Sequence, residues 1–239
     1  MGIPFPCHMV NKMKKTRTTK EHIKAISAVG LFCAIAYVCC VLFHFKAGFL
    51  TFDLKDAVMT VGAMIFGPIY GVAMAVIVAI IEGLTISSTG VYGFIMNVLS
   101  SVTFVGTASL IYMVRRTMRG AVAGIITASV SMVAVMIAAN ILITPFYMNV
   151  PRGEVIALIP TLLLPFNLTK AIFNSAVVFI IYKPIITAMR NAGFIVSEVK
   201  REASANRRPN YSVMIIAAIV GIVALLFFFL KLNGSFTFG

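Results

Sequence analysis

Pro-Phe-Asn-Leu-Thr-Lys-Ala-Ile-Phe-Asn, residues 165–174, places three polar side chains at the start of a long apolar run. Asn167, Lys170 and Asn174 stand at i, i+3 and i+7, so on a helix they project from one face. A lysine inside a membrane helix costs about 2.5–3.5 kcal/mol on insertion scales, which disfavours an unpaired, lipid-facing ammonium. We therefore predict that this face lines a polar site. The alternative is that Lys170 reaches the lipid headgroups and the asparagines bond a neighbouring helix.

The composition is that of a membrane protein. Apolar residues make up 60% of the chain and charged residues 11%, and the mean hydropathy is +1.01. In soluble domains about half of the residues are apolar and about a quarter are charged. The net charge of +13 raises the possibility of nucleic-acid binding, but the basic residues form short clusters between apolar runs and no single basic face. The sequence predicts an all-α polytopic membrane protein without a nucleic-acid partner.

Apolar runs and polar interruptions divide the chain into four regions. They are a basic tail at 1–24, a six-helix membrane domain at 25–190, a polar basic linker at 191–210, and an additional transmembrane helix with a short tail at 211–239. The run from Leu54 to Leu84 is too long for one membrane span and too short for two with a loop. Because proline disfavours helix in the preceding residue, we expect the second helix to end near Phe66 and the third to start at Pro68.

The remaining elements follow from the same pattern. We expect the first helix at 25–45, a fourth ending near Val114, a fifth at 120–144 and a sixth at 166–189, with loops at 46–56 and 82–92 and a partly embedded loop helix within 145–165. With the N-terminus inside, 15 of the 20 Lys and Arg residues fall on the inner side, as the positive-inside rule requires. The sequence therefore predicts a cytoplasmic N-terminus and an outer mouth formed by these loops.

Several kinds of chemistry are absent from the sequence. There is no G-x-x-x-x-G-K-[ST] loop for ATP and no H-E-x-x-H, and the three histidines are scattered. Four outer-side carboxylates could bind a cation, but three basic residues share that surface, so we expect no metal site (Asp53, Asp56, Glu82, Glu154; Lys46, Lys55, Arg152). What remains is a set of amides and one ammonium among aromatic residues, which suits an uncharged, flat or polyhydroxylated ligand.

Five blocks of sequence resemble one family of membrane proteins. They are Phe-Leu-Thr-Phe-Asp-Leu-Lys-Asp (49–56), Ile-Phe-Gly-Pro-Ile-Tyr-Gly (65–71), Ser-Thr-Gly-Val-Tyr-Gly-Phe-Ile-Met-Asn (88–97), Ala-Asn-Ile-Leu-Ile-Thr-Pro-Phe-Tyr (139–147) and Leu-Leu-Pro-Phe-Asn-Leu-Thr-Lys (163–170). In this order they resemble the riboflavin-specific S component, the substrate-binding membrane subunit, of energy-coupling-factor (ECF) vitamin transporters. The resemblance covers about residues 25–190.

The resemblance implies a six-helix, vitamin-binding subunit in the bacterial cell membrane. It further implies association with a transmembrane coupling protein and two ATP-binding cassette ATPases, with riboflavin as the transported ligand and no cofactor. The ligand-binding positions that the family implies are Leu50, Thr51, Asn97, Asn140, Asn167 and Lys170. To these the residue types add Asn174 as a further amide, and Phe49, Phe52, Tyr92 and Tyr147 as aromatic cover for the ring.

A stripe of small residues marks the first helix. Ser27, Gly30 and Ala34 fall at i, i+3 and i+7, where another helix could approach closely. By resemblance this stripe meets the coupling protein; packing inside the subunit is the alternative. The additional helix at 211–232 departs from the family's six-helix pattern and is interpreted as an appended anchor.

The sequence is compatible with two other functions. A related S component for a different vitamin would share the fold and the partners, and only identification of the ligand would separate the two. A membrane-embedded enzyme would need an acid–base or nucleophilic set, which the sequence does not provide.

Overall fold

The computed structural model describes residues 19–43, 45–47, 50–86, 89–194, 211–231 and 236–238. Its elements in chain order are α1 (Thr19–Leu42), β1 (Phe45–Ala47), β2 (Leu50–Phe52), α2 (Lys55–Phe66), α3 (Pro68–Thr85), α4 (Gly90–Val114), α5 (Met118–Met148), α6 (Arg152–Leu158), a π-helical turn (Ile159–Leu163), α7 (Leu164–Asn191), α8 (Tyr211–Lys231) and β3 (Phe236–Phe238). Within these ranges, five stretches are long and apolar enough to cross a membrane: His22–Leu42, Pro68–Thr85, Gly90–Val114, Met118–Met148 and Arg152–Met189. The predicted all-α polytopic fold is confirmed.

The short helix α2 lies at the centre of the helical bundle. It has 12 residues, all of them buried, and it packs against α1, α3, α4 and α7. Twelve residues rise about 18 Å, which is too short to cross the hydrocarbon region alone. The helix is therefore surrounded by protein and can carry polar residues that lipid would not accept.

Gly67 separates α2 from α3, as predicted from the Gly-Pro pair. Its φ of +111° lies in a region that residues with a Cβ rarely adopt, and Pro68 occupies the first position of α3. The predicted ends at Phe66 and Pro68 are confirmed. The sequence locates this break well because both residues act on the backbone directly.

The predicted loop at 46–56 contains a β-hairpin, which the sequence did not indicate. Strands β1 and β2 pair antiparallel with Lys46 opposite Thr51, and β3 pairs with the other edge of β1, giving the order β2-β1-β3. Three-residue strands are too short to show an alternating pattern, which explains why they were missed. The aromatic position Phe49 lies outside the described residues.

Three predicted elements have other bounds in the structure. Helix α1, predicted at 25–45, begins at Thr19 and ends at Leu42. The loop predicted at 82–92 is shorter, because α3 continues to Thr85 and α4 begins at Gly90. Helix α5, predicted to end at 144, passes through Pro145 and ends at Met148. Because Pro145 lies in the last turn of the helix, it removes at most one backbone hydrogen bond. The predicted embedded loop helix corresponds to α6, which continues through the π-helical turn into α7.

Candidate ligand-binding site

A cleft opens between the hairpin and one end of helices α4, α5 and α7. Counting the solvent at its open mouth, it holds about 620 Å³ of space outside the protein atoms. Its walls come from four parts of the chain: Leu50 and Thr51 of β2; Tyr92, Met96, Asn97 and Ser100 of α4; Met136, Asn140, Ile143, Thr144 and Tyr147 of α5; and Phe166, Asn167 and Lys170 of α7, with Thr89 and Gly93 at the start of α4.

Of the eleven positions predicted to contact the ligand, eight line this one cleft, namely Leu50, Thr51, Tyr92, Asn97, Asn140, Tyr147, Asn167 and Lys170. Asn174 does not line it. Its Nδ2 donates to the backbone oxygen of Asp53 at 3.3 Å, and its Oδ1 accepts from the backbone N–H of Ala57 at 3.1 Å. Asn174 therefore fixes the turn between β2 and α2, one helical turn away from the cleft.

Three cleft asparagines have amide orientations that their partners determine. Nδ2 of Asn140 donates to the carbonyl of Met136 at 2.7 Å, and Nδ2 of Asn167 donates to the carbonyl of Leu163 at 2.8 Å. Nδ2 of Asn97 donates to the Glu82 carboxylate at 2.6 Å. Because carbonyls and carboxylates only accept, each of these contacts must use the amide N–H. Oδ1 of Asn140 also accepts from the Thr144 hydroxyl at 2.9 Å, and because an amide oxygen has two lone pairs it can accept one further hydrogen bond.

Aromatic and aliphatic side chains cover the rest of the cleft. The rings of Tyr92 and Tyr147 meet edge to face with centroids 6.4 Å apart, and both side chains are partly exposed at the mouth. Phe52, predicted to cover a ligand ring, instead packs beneath the cleft against Phe166 and Phe173, with centroid distances of 6.3 and 5.2 Å. Phe166 takes the wall position that the sequence suggested for Phe52.

A buried ionic network lies directly behind the cleft. The Lys170 Nζ and the Lys55 Nζ each lie 2.9 Å from Oδ2 of Asp53, and the Lys55 Nζ lies 2.8 Å from Oε2 of Glu82. Glu82 in turn accepts the hydrogen bond from Asn97. The network thus connects the ammonium of α7 to the amide of α4 across the cleft.

The sequence prediction that these carboxylates share an outer surface with Lys55 was wrong. Asp53, Lys55 and Asp56 are at most 1% exposed and Glu82 is 3% exposed. Ser101 donates a hydrogen bond of 2.6 Å to Oδ1 of Asp56. A signal was available, because charges at the edges of apolar runs are tolerated when they pair with one another inside the protein.

The electrostatics of the network favour a charged Asp53, which lies in the turn between β2 and α2, outside the helices. Burial alone would raise the pKa of Asp53, but the ammonium groups of Lys170 and Lys55 hold that pKa well below its usual range. The charge of Lys170 is consequently balanced inside the protein, and this side chain needs no anionic ligand.

The small-residue stripe of α1 faces away from the bundle. Ser27, Gly30 and Ala34 are exposed, and a Cβ added at Gly30 would meet no atom of the described residues within 4 Å. The alternative that this stripe packs inside the subunit is therefore wrong. The neighbouring residues Ala28 and Phe32 make the internal contacts of α1 instead.

Comparisons with known proteins agree on one family. The family model described as "ECF transporter, substrate-specific component" matches residues 24–182. The chain is 26% identical over 178 residues to the riboflavin transporter RibU of Staphylococcus aureus (strain TCH60), an alignment that covers 71% of this chain and 94% of RibU. A solved structure described as the S component of a bacterial ECF transporter superposes with a TM-score of 0.61 at 25% identity, covering 70% of this chain and 98% of that one.

These matches span the helices that build the cleft, and the matched proteins are transporter components and not enzymes. The membrane-embedded enzyme is thereby excluded as a function for this chain. The chain belongs to the family of substrate-specific components of ECF transporters, as a multi-pass membrane subunit for vitamin uptake.

Proposed function

We propose that this substrate-specific component binds riboflavin in the cleft between the hairpin and α4, α5 and α7. The observation that carries the proposal is the convergence of Leu50, Thr51, Asn97, Asn140, Asn167 and Lys170, from four separate elements, on one cleft. RibU, to which this chain is 26% identical, is a riboflavin transporter.

The chemistry of the cleft suits riboflavin. This ligand has a flat ring system with an imide N–H, a neutral ribityl chain with several hydroxyl groups, and no phosphate. The amide oxygens of Asn140 and Asn167 can accept from the imide or the hydroxyls, and the Lys170 ammonium can donate to a carbonyl or hydroxyl oxygen. Tyr92, Tyr147 and Phe166 offer apolar surface for the ring.

The proposed cleft opens to the outside, and the proposed driving force comes from partner ATPases. Of the basic residues, 15 of 20 lie on the cytoplasmic side when the N-terminus is inside. The chain has no phosphate-binding loop of its own, so energy must be supplied through a coupling protein. The exposed stripe of Ser27, Gly30 and Ala34 on α1 is the surface proposed for that protein.

Identification of the bound ligand tests the proposal most directly. The purified protein is denatured and the absorption spectrum of the released small molecule is recorded; a flavin spectrum is expected. Flavin fluorescence quenching then gives affinities for the wild type, for Asn167→Ala and for the control Ile126→Ala, a residue of α5 that is 59% exposed and does not line the cleft. Loss of one good hydrogen bond at Asn167 should weaken binding about tenfold, and the control should bind like the wild type. A different released vitamin, or full affinity in Asn167→Ala, would contradict the riboflavin proposal.

A further inference from the structure

Helix α8 and strand β3, together called here the C-terminal strap, lie beyond the residues that the family model matches. The sequence suggested that α8 is an appended anchor. An anchor would need to contact only lipid, but α8 packs along α7 over much of its length.

A close helix–helix contact holds α8 against α7. Gly221 is buried, and a Cβ added there would lie 3.0 Å from the Cβ of Ala176 and 3.6 Å from the ring of Phe173. Ala217, one turn earlier on the same face, is 8% exposed. Small residues spaced by four are typical of helices that approach closely in membranes. The neighbouring Val223 is 58% exposed and faces away from α7.

The strap also reaches the ligand-binding hairpin at two places. Leu225 of α8 packs against a cluster that includes Leu50, Phe52 and Phe166. Strand β3 pairs antiparallel with β1, with position 237 opposite position 46. Because Leu50 and Phe166 line the cleft, Leu225 contacts the cleft wall from behind. Strand β3 also extends the sheet to which Leu50 and Thr51 belong.

An isolated hairpin of two three-residue strands is marginal in stability, and a third strand together with packing against a helix is what makes such a unit stable. We propose that the C-terminal strap is a positioning element that holds the hairpin carrying Leu50 and Thr51 in place and so slows exchange of the ligand. This inference rests on the proposed function of the cleft. It also accounts for the position of β3, which follows α8 and pairs with β1 at the end of the bundle where the cleft opens.

The first test uses substitutions on the two faces of α8. Gly221→Leu inserts a side chain where Ala176 and Phe173 leave no room, whereas Val223→Leu adds bulk on the exposed face. Each purified full-length variant is loaded with radiolabelled riboflavin, and release is followed in an excess of unlabelled riboflavin. We expect release to be about fivefold faster or more in Gly221→Leu, and unchanged in Val223→Leu. Equal rates in the wild type and Gly221→Leu would overturn the proposal.

The second test locks the strap without disturbing α8. In a background with the four natural cysteines replaced by alanine, Lys46→Cys and Thr237→Cys place two thiols at directly opposed positions of β1 and β3. Lys46→Cys with Phe236→Cys is the matched control, because successive strand residues point to opposite faces. Oxidation should form a disulfide in the first pair only, and it should slow riboflavin release in a way that a reductant reverses. No disulfide, or a disulfide without effect on release, would overturn the proposal.

The two proposals fail in distinguishable ways. If the wild-type chain does not bind riboflavin, the proposed ligand is wrong, but disulfide formation still tests whether β3 pairs with β1. The positioning effect is then measured by the rate at which a thiol reagent modifies Thr51→Cys in the same cysteine-free background. Faster modification after Gly221→Leu, but not after Val223→Leu, would support the strap; equal rates would refute it.

Discussion

Lys170 could serve mainly to stabilise the buried network through Asp53, or mainly to bind the ligand, and these two functions predict different effects of mutation. If the ammonium belongs to the buried network, Asp53 is the more critical partner, because its Oδ2 lies 2.9 Å from both Lys170 and Lys55. If the ammonium instead serves mainly the ligand, as the sequence alone suggested, replacing Asp53 should matter little for stability. The substitutions Asp53→Asn and Lys170→Met keep the approximate shapes and remove the charges.

The structure orders the expected effects. Asp53→Asn leaves Lys170 as a buried, unpaired ammonium, and removal of one partner of a buried ion pair typically costs about 3–5 kcal/mol. Lys170→Met leaves Asp53 paired with Lys55, so the loss is nearer that of one charged hydrogen bond, about 1.5–3 kcal/mol. In the double variant neither group is stranded, and it should be more stable than the two separate costs predict, by about 0.5–3 kcal/mol.

Thermal unfolding in one detergent at a fixed scan rate provides the measurement. For a chain of this size, 1 kcal/mol corresponds to about 2–4 °C in the midpoint, so differences of this order are resolvable. The depressed pKa of Asp53 means that its contribution is present above the carboxyl's unfolded-state pKa of about 3.9 and is lost as the pH falls through the lower folded-state pKa. The ranking should therefore hold between about pH 5 and pH 8. If the two losses of stability were strictly additive in the double variant, or if Asp53→Asn were milder than Lys170→Met, the network would be refuted. Lys170 would then serve mainly to bind the ligand.

Three further predictions concern other surfaces of the protein. Gly30→Leu should stop uptake in cells, because the larger side chain keeps a partner helix at a distance, while riboflavin binding to the purified protein stays intact, because a Cβ added at Gly30 meets no atom of the described residues within 4 Å; parallel loss of binding would refute the partner surface. Thr89→Cys should react with an impermeant thiol reagent applied outside the cell, and Ala192→Cys only after permeabilisation; the reverse pattern would invert the topology. Asn174→Ala removes hydrogen bonds to the turn at residues 53–57 and should lower the free energy of unfolding by about 1–3 kcal/mol, with a smaller loss of affinity than Asn167→Ala; an unchanged unfolding midpoint would contradict that function for Asn174.

The helical architecture was predictable because its signals are local. The break between α2 and α3 follows from Gly67 and Pro68 alone, and the long apolar runs give the other spans directly. The hairpin and the exact end of α5 were not predictable. Strands of three residues carry almost no periodic signal, and whether Pro145 ends a helix depends on the tertiary contacts around it.

The sequence indicated which residues line the cleft, but not how they are connected to one another. Helical spacing and the family resemblance together gave Asn97, Asn140, Asn167 and Lys170, all of which line the cleft. Spacing alone could not show that Asn174, on the same helix face, bonds to the turn between β2 and α2 instead of lining the cleft. Pairing across more than a hundred residues, such as that of Lys170 with Asp53, depends on how the elements assemble and leaves no local trace.

These connections explain how a membrane site can be polar without being unstable. Lys170 in the cleft wall and Lys55 behind it are neutralised by Asp53 and Glu82, and the same Glu82 orients the amide of Asn97. The charges are therefore kept within the protein, and the groups available at the cleft are amides with one already balanced ammonium. Such a surface can bind a neutral vitamin by hydrogen bonds without gaining or losing net charge, so no ion needs to accompany the ligand into the site. Loading of the subunit should then depend little on salt, because charges buried this deeply are weakly screened.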